Sequence, residues 1–260
     1  MKRSLALLLA GGAAVLFAAA GINAKELTAD EVMDRVRDNR YPETSEAQIK
    51  LILRGKKGRP LTKEFTMYRK VSGNDAMTFI EFEHPPAIRG TRFLVIQKGE
   101  KEDTYAKFTE NPTVQRISES QRSDRFMGSD FTYGDLRIER KGDDTFEMLG
   151  KEEYEGYPCY LIKSTPKSLK KAQYSQLKLW VDCNKFVVRF TEFYDKKKRK
   201  KIKKLKVKEI KLIENTWTAT LSVMTDLRDG HQTTMELVKA HFGVTLGDNL
   251  FTLRTLIGGR

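Results

Sequence analysis

Three histidines, His84, His231 and His241, and two cysteines, Cys159 and Cys183, are the side chains best suited to nucleophilic or metal chemistry. No two histidines have the His-x-x-x-His spacing that sets two imidazoles on one helix face for zinc. His231 follows the Asp229-Gly230 turn, and His84 precedes two prolines. There is no Gly-x-Ser-x-Gly nucleophile elbow and no glycine loop built to cradle a phosphate. Asp124, Asp130 and Asp135 lie close together, but their spacing is not that of a calcium loop. Short carboxylates among glycine and serine form turns through local hydrogen bonds. The sequence therefore gives no catalytic residue, no metal site and no cofactor, and the chain is read as a non-enzyme.

Those aspartates belong to the stretch from Arg125 to Leu136, where neither helical nor strand periodicity holds. Phe126, Met127, Phe131, Tyr133 and Leu136 are interleaved there with glycine, serine and aspartate. Gly128 and Gly134 permit sharp turns. Five large apolar side chains on such a loop must be covered. Either the loop is a compact staple packed onto a core, or it is a flap over an apolar cavity.

Lys2 and Arg3 precede an apolar run from Leu5 to Ala20 and a small-residue cleavage site after Ala24, or after Ala20. Residues 1–24 read as a secretory signal peptide, and 25–260 as one exported domain. Lys and Arg number 48 against 35 Asp and Glu, a net charge of +13. In an exported protein that balance points to anionic lipid surfaces, lipopolysaccharide or acidic proteins and away from nucleic acid. An oxidising compartment also makes a disulfide the expectation for Cys159 and Cys183. In a hairpin turning near Lys170 to Ala172 the two would lie opposite each other. Two buried free thiols are the alternative.

The elements that must position the loop are mostly strands. Thr28 and Glu31 form a capping box, Leu27 and Val32 a hydrophobic staple, and Val32, Met33 and Val36 an apolar stripe. They predict a helix ending near Arg40, before Pro42. From Ala47 onward alternation dominates, giving roughly ten strands at turn spacings of about 8–12 residues. Phe186, Val188, Phe190 and Tyr194 make the apolar side of one; Trp217, Ala219, Leu221 and Val223 that of another. Leu205 and Val207 differ in parity from Ile210 and Leu212, which predicts a bulge near Glu209. Leu250, Phe251 and Leu253 can dock the tail. The fold class is mainly β, an antiparallel sandwich or barrel in a single domain.

Lys196, Lys197, Lys198, Arg199, Lys200, Lys201, Lys203 and Lys204 run almost unbroken after Asp195. One reading is a solvated hairpin whose lysines guard a sheet edge. The other is a contact surface for anionic headgroups.

The run Arg122 to Leu136 resembles the signature of the LolA-like outer membrane lipoprotein-sorting protein family. Gly90-Thr91-Arg92-Phe93-Leu94, Gly156-Tyr157-Pro158-Cys159-Tyr160, Leu179-Trp180-Val181-Asp182 and Asn249-Leu250-Phe251-Thr252 carry the likeness across most of the chain. The resemblance implies an incomplete β-barrel with a helical and loop lid and an apolar interior that receives acyl chains. It implies a monomeric periplasmic carrier of lipid or lipoprotein, exchanging with an inner-membrane exporter or outer-membrane receptor. An RseB-like lipid sensor or adaptor is the alternative. Phe126, Met127, Phe131, Tyr133 and Leu136 are the expected lid and cavity residues.

Overall fold

The structure, a computed structural model, describes residues 26–40, 42–111, 113–170 and 172–259. The expected signal peptide lies outside them. One helix, α1 (Ala29–Arg40), leads into β1 (Thr44–Arg54), β2 (Leu61–Ser72), β3 (Asp75–His84), β4 (Arg92–Lys98), β5 (Lys101–Lys107) and the short β6 (Gln115–Arg116). After a long crossing come β7 (Asp144–Tyr154), β8 (Tyr157–Pro166), β9 (Gln176–Asp182), β10 (Val188–Tyr194), β11 (Lys201–Ile213), β12 (Thr216–Asp226) and β13 (Gln232–Phe242), then a short helix, α2 (Leu253–Gly258).

All of these strands share one antiparallel sheet, ordered β6-β5-β4-β3-β2-β1-β13-β12-β11-β10-β9-β8-β7. Two meanders thus run in opposite directions from a seam where β1 pairs with β13. The sheet does not close, because β6 and β7 remain its two edges. Residues 117–143 carry the chain from one edge to the other, and the Arg125–Leu136 loop sits within this link. The mainly β, open-barrel fold expected from the sequence is the one observed.

Alternation places one face of each strand inward. Leu51, Phe65, Ile80, Phe82 and Phe93 from one meander share a core with Phe193, Met224 and Ala240 from the other. The helix forms as its capping box requires: Thr28 N–H donates to Glu31 Oε2 at 2.7 Å, and Glu31 N–H returns to Thr28 Oγ1 at 3.2 Å. Its stripe of Val32, Met33 and Val36 is buried on Tyr160, Ile162, Leu179 and Val181 of β8 and β9. On the outer face of β2–β4, Phe251 and Leu256 of the tail cover Tyr68, Phe79 and Leu94. Leu253, expected to dock, is 43% exposed instead, because the helical turn gives Leu256 the inward position.

Four expectations about strands need correction. β7 has no counterpart in the sequence reading, because an edge strand with one exposed face carries little apolar alternation. A register shift between Val188 and Phe190 turns Phe190 outward onto Tyr154 and Trp180, and leaves Phe193 inside. In β12 the pairing skips Thr220, so Ser222 and Met224 line the interior where Val223 was expected. The matching shift in β11 falls at Glu209, as predicted.

The fourth is the disulfide. Cys159 pairs with Asp182, not Cys183, and both thiols are free. Because strand side chains alternate, that one-residue offset sends them to opposite faces. Cys159 packs on Leu161 and Trp180 outside, Cys183 against the α1 side. Burial pushes both thiols up, Cys159 to about 11. Thiol labelling of unfolded, unreduced protein is expected to find two reactive cysteines per chain; none would restore the bridge.

Candidate functional site

The loop is built from its backbone outward. Arg125 and Thr132 form an antiparallel bridge, and Phe126 N–H donates to the Phe131 carbonyl at 2.8 Å. Between them Met127 (φ 50°) and Gly128 (φ 75°) both take the left-handed conformation, which reverses the chain within one turn. Ser129 closes it, its hydroxyl donating to the Phe126 carbonyl at 2.7 Å. The next turn is held by Asp135, whose carboxylate accepts from Thr132 N–H at 2.8 Å.

This geometry drives Phe126 into the core, where it is 1% exposed. Its ring meets those of Phe93 at 5.0 Å, Phe82 at 5.8 Å, Tyr133 at 5.8 Å and Phe65 at 6.2 Å. Phe131 is buried on the same cluster, while Met127, Tyr133 and Leu136 are partly buried against it. The loop is therefore a staple, and it also floors a cavity.

That cavity has a volume of about 1200 Å³, above the ~300–1,000 Å³ typical of small-molecule sites. Phe126, Phe131 and Leu136 of the loop line it; Met127 and Tyr133 do not. Tyr133 packs beneath, against Phe93 and Phe126. Met127 instead offers its carbonyl to Lys63 Nζ at 2.5 Å. Sheet residues complete the wall. Met67, Leu177, Leu205, Met235 and Leu237 all line the cavity and are only partly buried, although they face the interior. Partial exposure of inward apolar side chains is the mark of a lined hollow. The paired Ala47 and Ala240, on the seam strands, keep it open by their small size. Exposed lining residues, among them Lys101, Arg116, Glu119, Lys170 and Lys196, mark its mouth.

A charged network anchors the loop to the β12–β13 hairpin. Asp130 is fully buried and accepts at Oδ2 from the Thr233 hydroxyl at 2.7 Å, with His231 Nδ1 also at 2.7 Å. Arg125 reaches Asp226 at 3.0 Å and Asp229 at 2.6 Å, and lies 3.5 Å from Asp130. Arg228 adds a 2.6 Å contact to Asp226. Lys203 donates to the Asp130 carbonyl at 2.7 Å and is 2% exposed. Burial lowers the Lys203 pKa, opposed by Asp135 and Asp226. Lys203 thus cannot touch a surface, and the expectation that it did is corrected. It faces inward because it has the parity of Leu205 and Val207.

The sequence reading missed this network, since Asp130 and His231 lie 101 residues apart. It does not make a catalytic site on the cavity: none of the three histidines lines it. Among the described residues no group of three or more His, Cys, Asp or Glu is placed to hold a metal.

A family model described as "uncharacterized protein" matches residues 74–257. No curated protein matches the chain. Among solved structures it is similar to a DUF1329 family protein from Desulfovibrio piger, at 26% identity and TM-score 0.83 over 88% of this chain and 97% of that one. It is also similar to a "putative outer membrane lipoprotein-sorting protein domain" from Vibrio parahaemolyticus, at 24% identity and TM-score 0.81 over 88% and 98%. A LolA superfamily protein from Nitrosomonas europaea shares 19% identity, with TM-score 0.73 over 88% and 99%.

Proposed function

The chain belongs to the family whose model spans residues 74–257 and has the fold of LolA superfamily proteins, and from that premise we propose that it is a periplasmic carrier of acyl chains. It takes the chains of a lipid or lipoprotein into the cavity, shields them from water and releases them to a partner at the inner or outer membrane, without covalent chemistry. The observation that carries this reading is the hollow of about 1200 Å³ walled by inward, partly buried apolar side chains. Water gains little there, whereas each methylene moved in from water contributes about 0.8 kcal/mol. The shared fold with structures described as lipoprotein-sorting proteins supports the same ligand class.

The test fills the hollow. Ala240, buried and opposite Ala47, lines the cavity at the seam. Ala240→Phe and Ala47→Phe are each expected to weaken binding of a fluorescent fatty acid at least tenfold, with the melting transition close to wild type. Undiminished binding by two folded variants would place the ligand elsewhere.

A further inference from the structure

We propose that the turn joining β10 and β11 docks on an anionic phospholipid surface and presents the mouth of the cavity to it. The docking stands on the observations below; only its use in transfer rests on the acyl-chain reading.

Lys196, Lys197, Lys198, Arg199 and Lys200 make the turn, and all five are exposed. The turn is built, not loose. Asp195 N–H donates to the Lys200 carbonyl at 2.8 Å, and Arg199 N–H to the Asp195 carbonyl at 3.0 Å. The Asp195 carboxylate accepts from the backbone N–H groups of Lys197 and Lys198, at 2.9 and 2.5 Å. It is spent on the backbone, so it pairs with no lysine side chain. Among the described residues none of the five cations has a carboxylate within ion-pair distance, whereas Lys201 pairs with Glu192 at 2.7 Å.

Edge protection does not account for them. Lysines guard strands whose hydrogen-bonding side is open, but β10 lies between β9 and β11, and β11 between β10 and β12. The edges are β6 and β7, elsewhere in the sheet. Among the described residues these cations have no carboxylate partner, and they have no edge to blunt.

Two neighbouring loops carry the features of an interfacial contact. Lys196 Nζ donates to the Lys170 carbonyl at 3.2 Å, which sets the β8–β9 loop, with Lys167, Leu169 and Lys170, beside the turn. Leu227 N–H donates to the Ile202 carbonyl at 2.8 Å, which sets the β12–β13 turn on its other side. Leu169 and Leu227 are 45% and 40% exposed. Cations flanked by exposed leucines match a bilayer, whose anionic headgroups overlie an apolar layer. An acidic protein would satisfy the cations alone. Lys170 and Lys196 also line the cavity, so this lip forms part of the mouth.

The experiment uses the full mature chain and phosphatidylcholine vesicles with and without phosphatidylglycerol. Wild type is expected to co-sediment with the anionic vesicles only, and to be released as salt shortens the Debye length from ~10 Å at 0.1 M. The variant K197E/K198E/R199E/K200E, none of whose positions lines the cavity, should bind them at least about 100-fold more weakly. Leu169→Ser, which adds no charge, should weaken binding without altering its salt dependence. Fatty-acid binding in solution and the melting transition should be unchanged in both. Absence of wild-type binding, equal binding to neutral vesicles, or undiminished binding by the charge-reversed variant would each overturn the proposal. The salt titration of wild type needs no variant to fold. Vesicle docking without fatty-acid binding would leave the docking in place and remove the carrier reading.

Discussion

Replacing Phe126 by alanine is expected to lower the free energy of unfolding by about 3–5 kcal/mol, the range for deleting a buried aromatic ring. The ring is 1% exposed and touches four other aromatic rings, three from strands β2, β3 and β4 and one from the loop itself. No single neighbour can move into the space without leaving another, so the void persists and its cost adds to the lost transfer energy. Met127→Ala, by contrast, should cost about 1 kcal/mol, because the main tie of that residue is its carbonyl to Lys63, which alanine keeps. Urea unfolding of both variants separates the two roles. A loss under about 1 kcal/mol for Phe126→Ala would mean that the loop detaches as a flap and contributes nothing to the folded barrel.

What was legible in the sequence follows from the range of the interactions. The helix and its cap were readable because Thr28, Glu31 and Val32 act within one turn. The sheet was readable from alternation, and the bulge at Glu209 from its parity change. The shifts at Thr220 and near Arg189 were not, because threonine and arginine fit either face of a strand until a partner fixes the register. The cysteine pairing failed for a related reason. Nine residues separate β8 from β9, and only short turns set hairpin register. A one-residue error there reverses every side chain.

The site was half legible. An aperiodic stretch with five large apolar residues announced a loop that had to be covered, and the structure covers all five, three of them as cavity lining. The hollow itself is not a local property: it arises where two meanders face each other and paired alanines stand at the seam. The charged network is equally non-local. Asp130 looked like a turn former because its neighbours are glycine and serine, yet its carboxylate bonds to β13. Lys203 looked like one more lysine in a run, and only strand parity distinguishes it.

Asp226 is where that network responds most strongly to substitution and pH. It is fully buried at the end of β12 and accepts from Arg228 Nη2 at 2.6 Å, Arg228 Nε at 2.9 Å, Arg228 N–H at 3.0 Å and Arg125 Nη2 at 3.0 Å. Burial alone would raise the carboxyl, but the hydrogen bonds and charge of Arg228, with Arg125, outweigh it and hold Asp226 well below its ordinary 3.8. Asp226→Ala is expected to cost about 3 kcal/mol at pH 7, the low end for breaking a buried pair. The low end applies because Arg228 is 56% exposed and Arg125 33%, so both guanidinium groups regain water. A depressed folded-state pKa means that the unfolded chain binds the proton first as pH falls. The stabilisation by Asp226 is therefore complete above the unfolded value near 3.8 and is lost progressively as pH drops from there toward the folded value. Wild type and variant should differ by a constant amount between pH 7 and 5 and converge below pH ~4. The loop connects this to the cavity: without Asp226, Arg125 keeps Asp229 and Asp130, but its hold on the hairpin slackens. Protease cleavage within 125–136 should consequently speed up in the variant. A pH-independent difference extending well below 4 would mean that the loss comes from packing at β12 and not from the carboxylate.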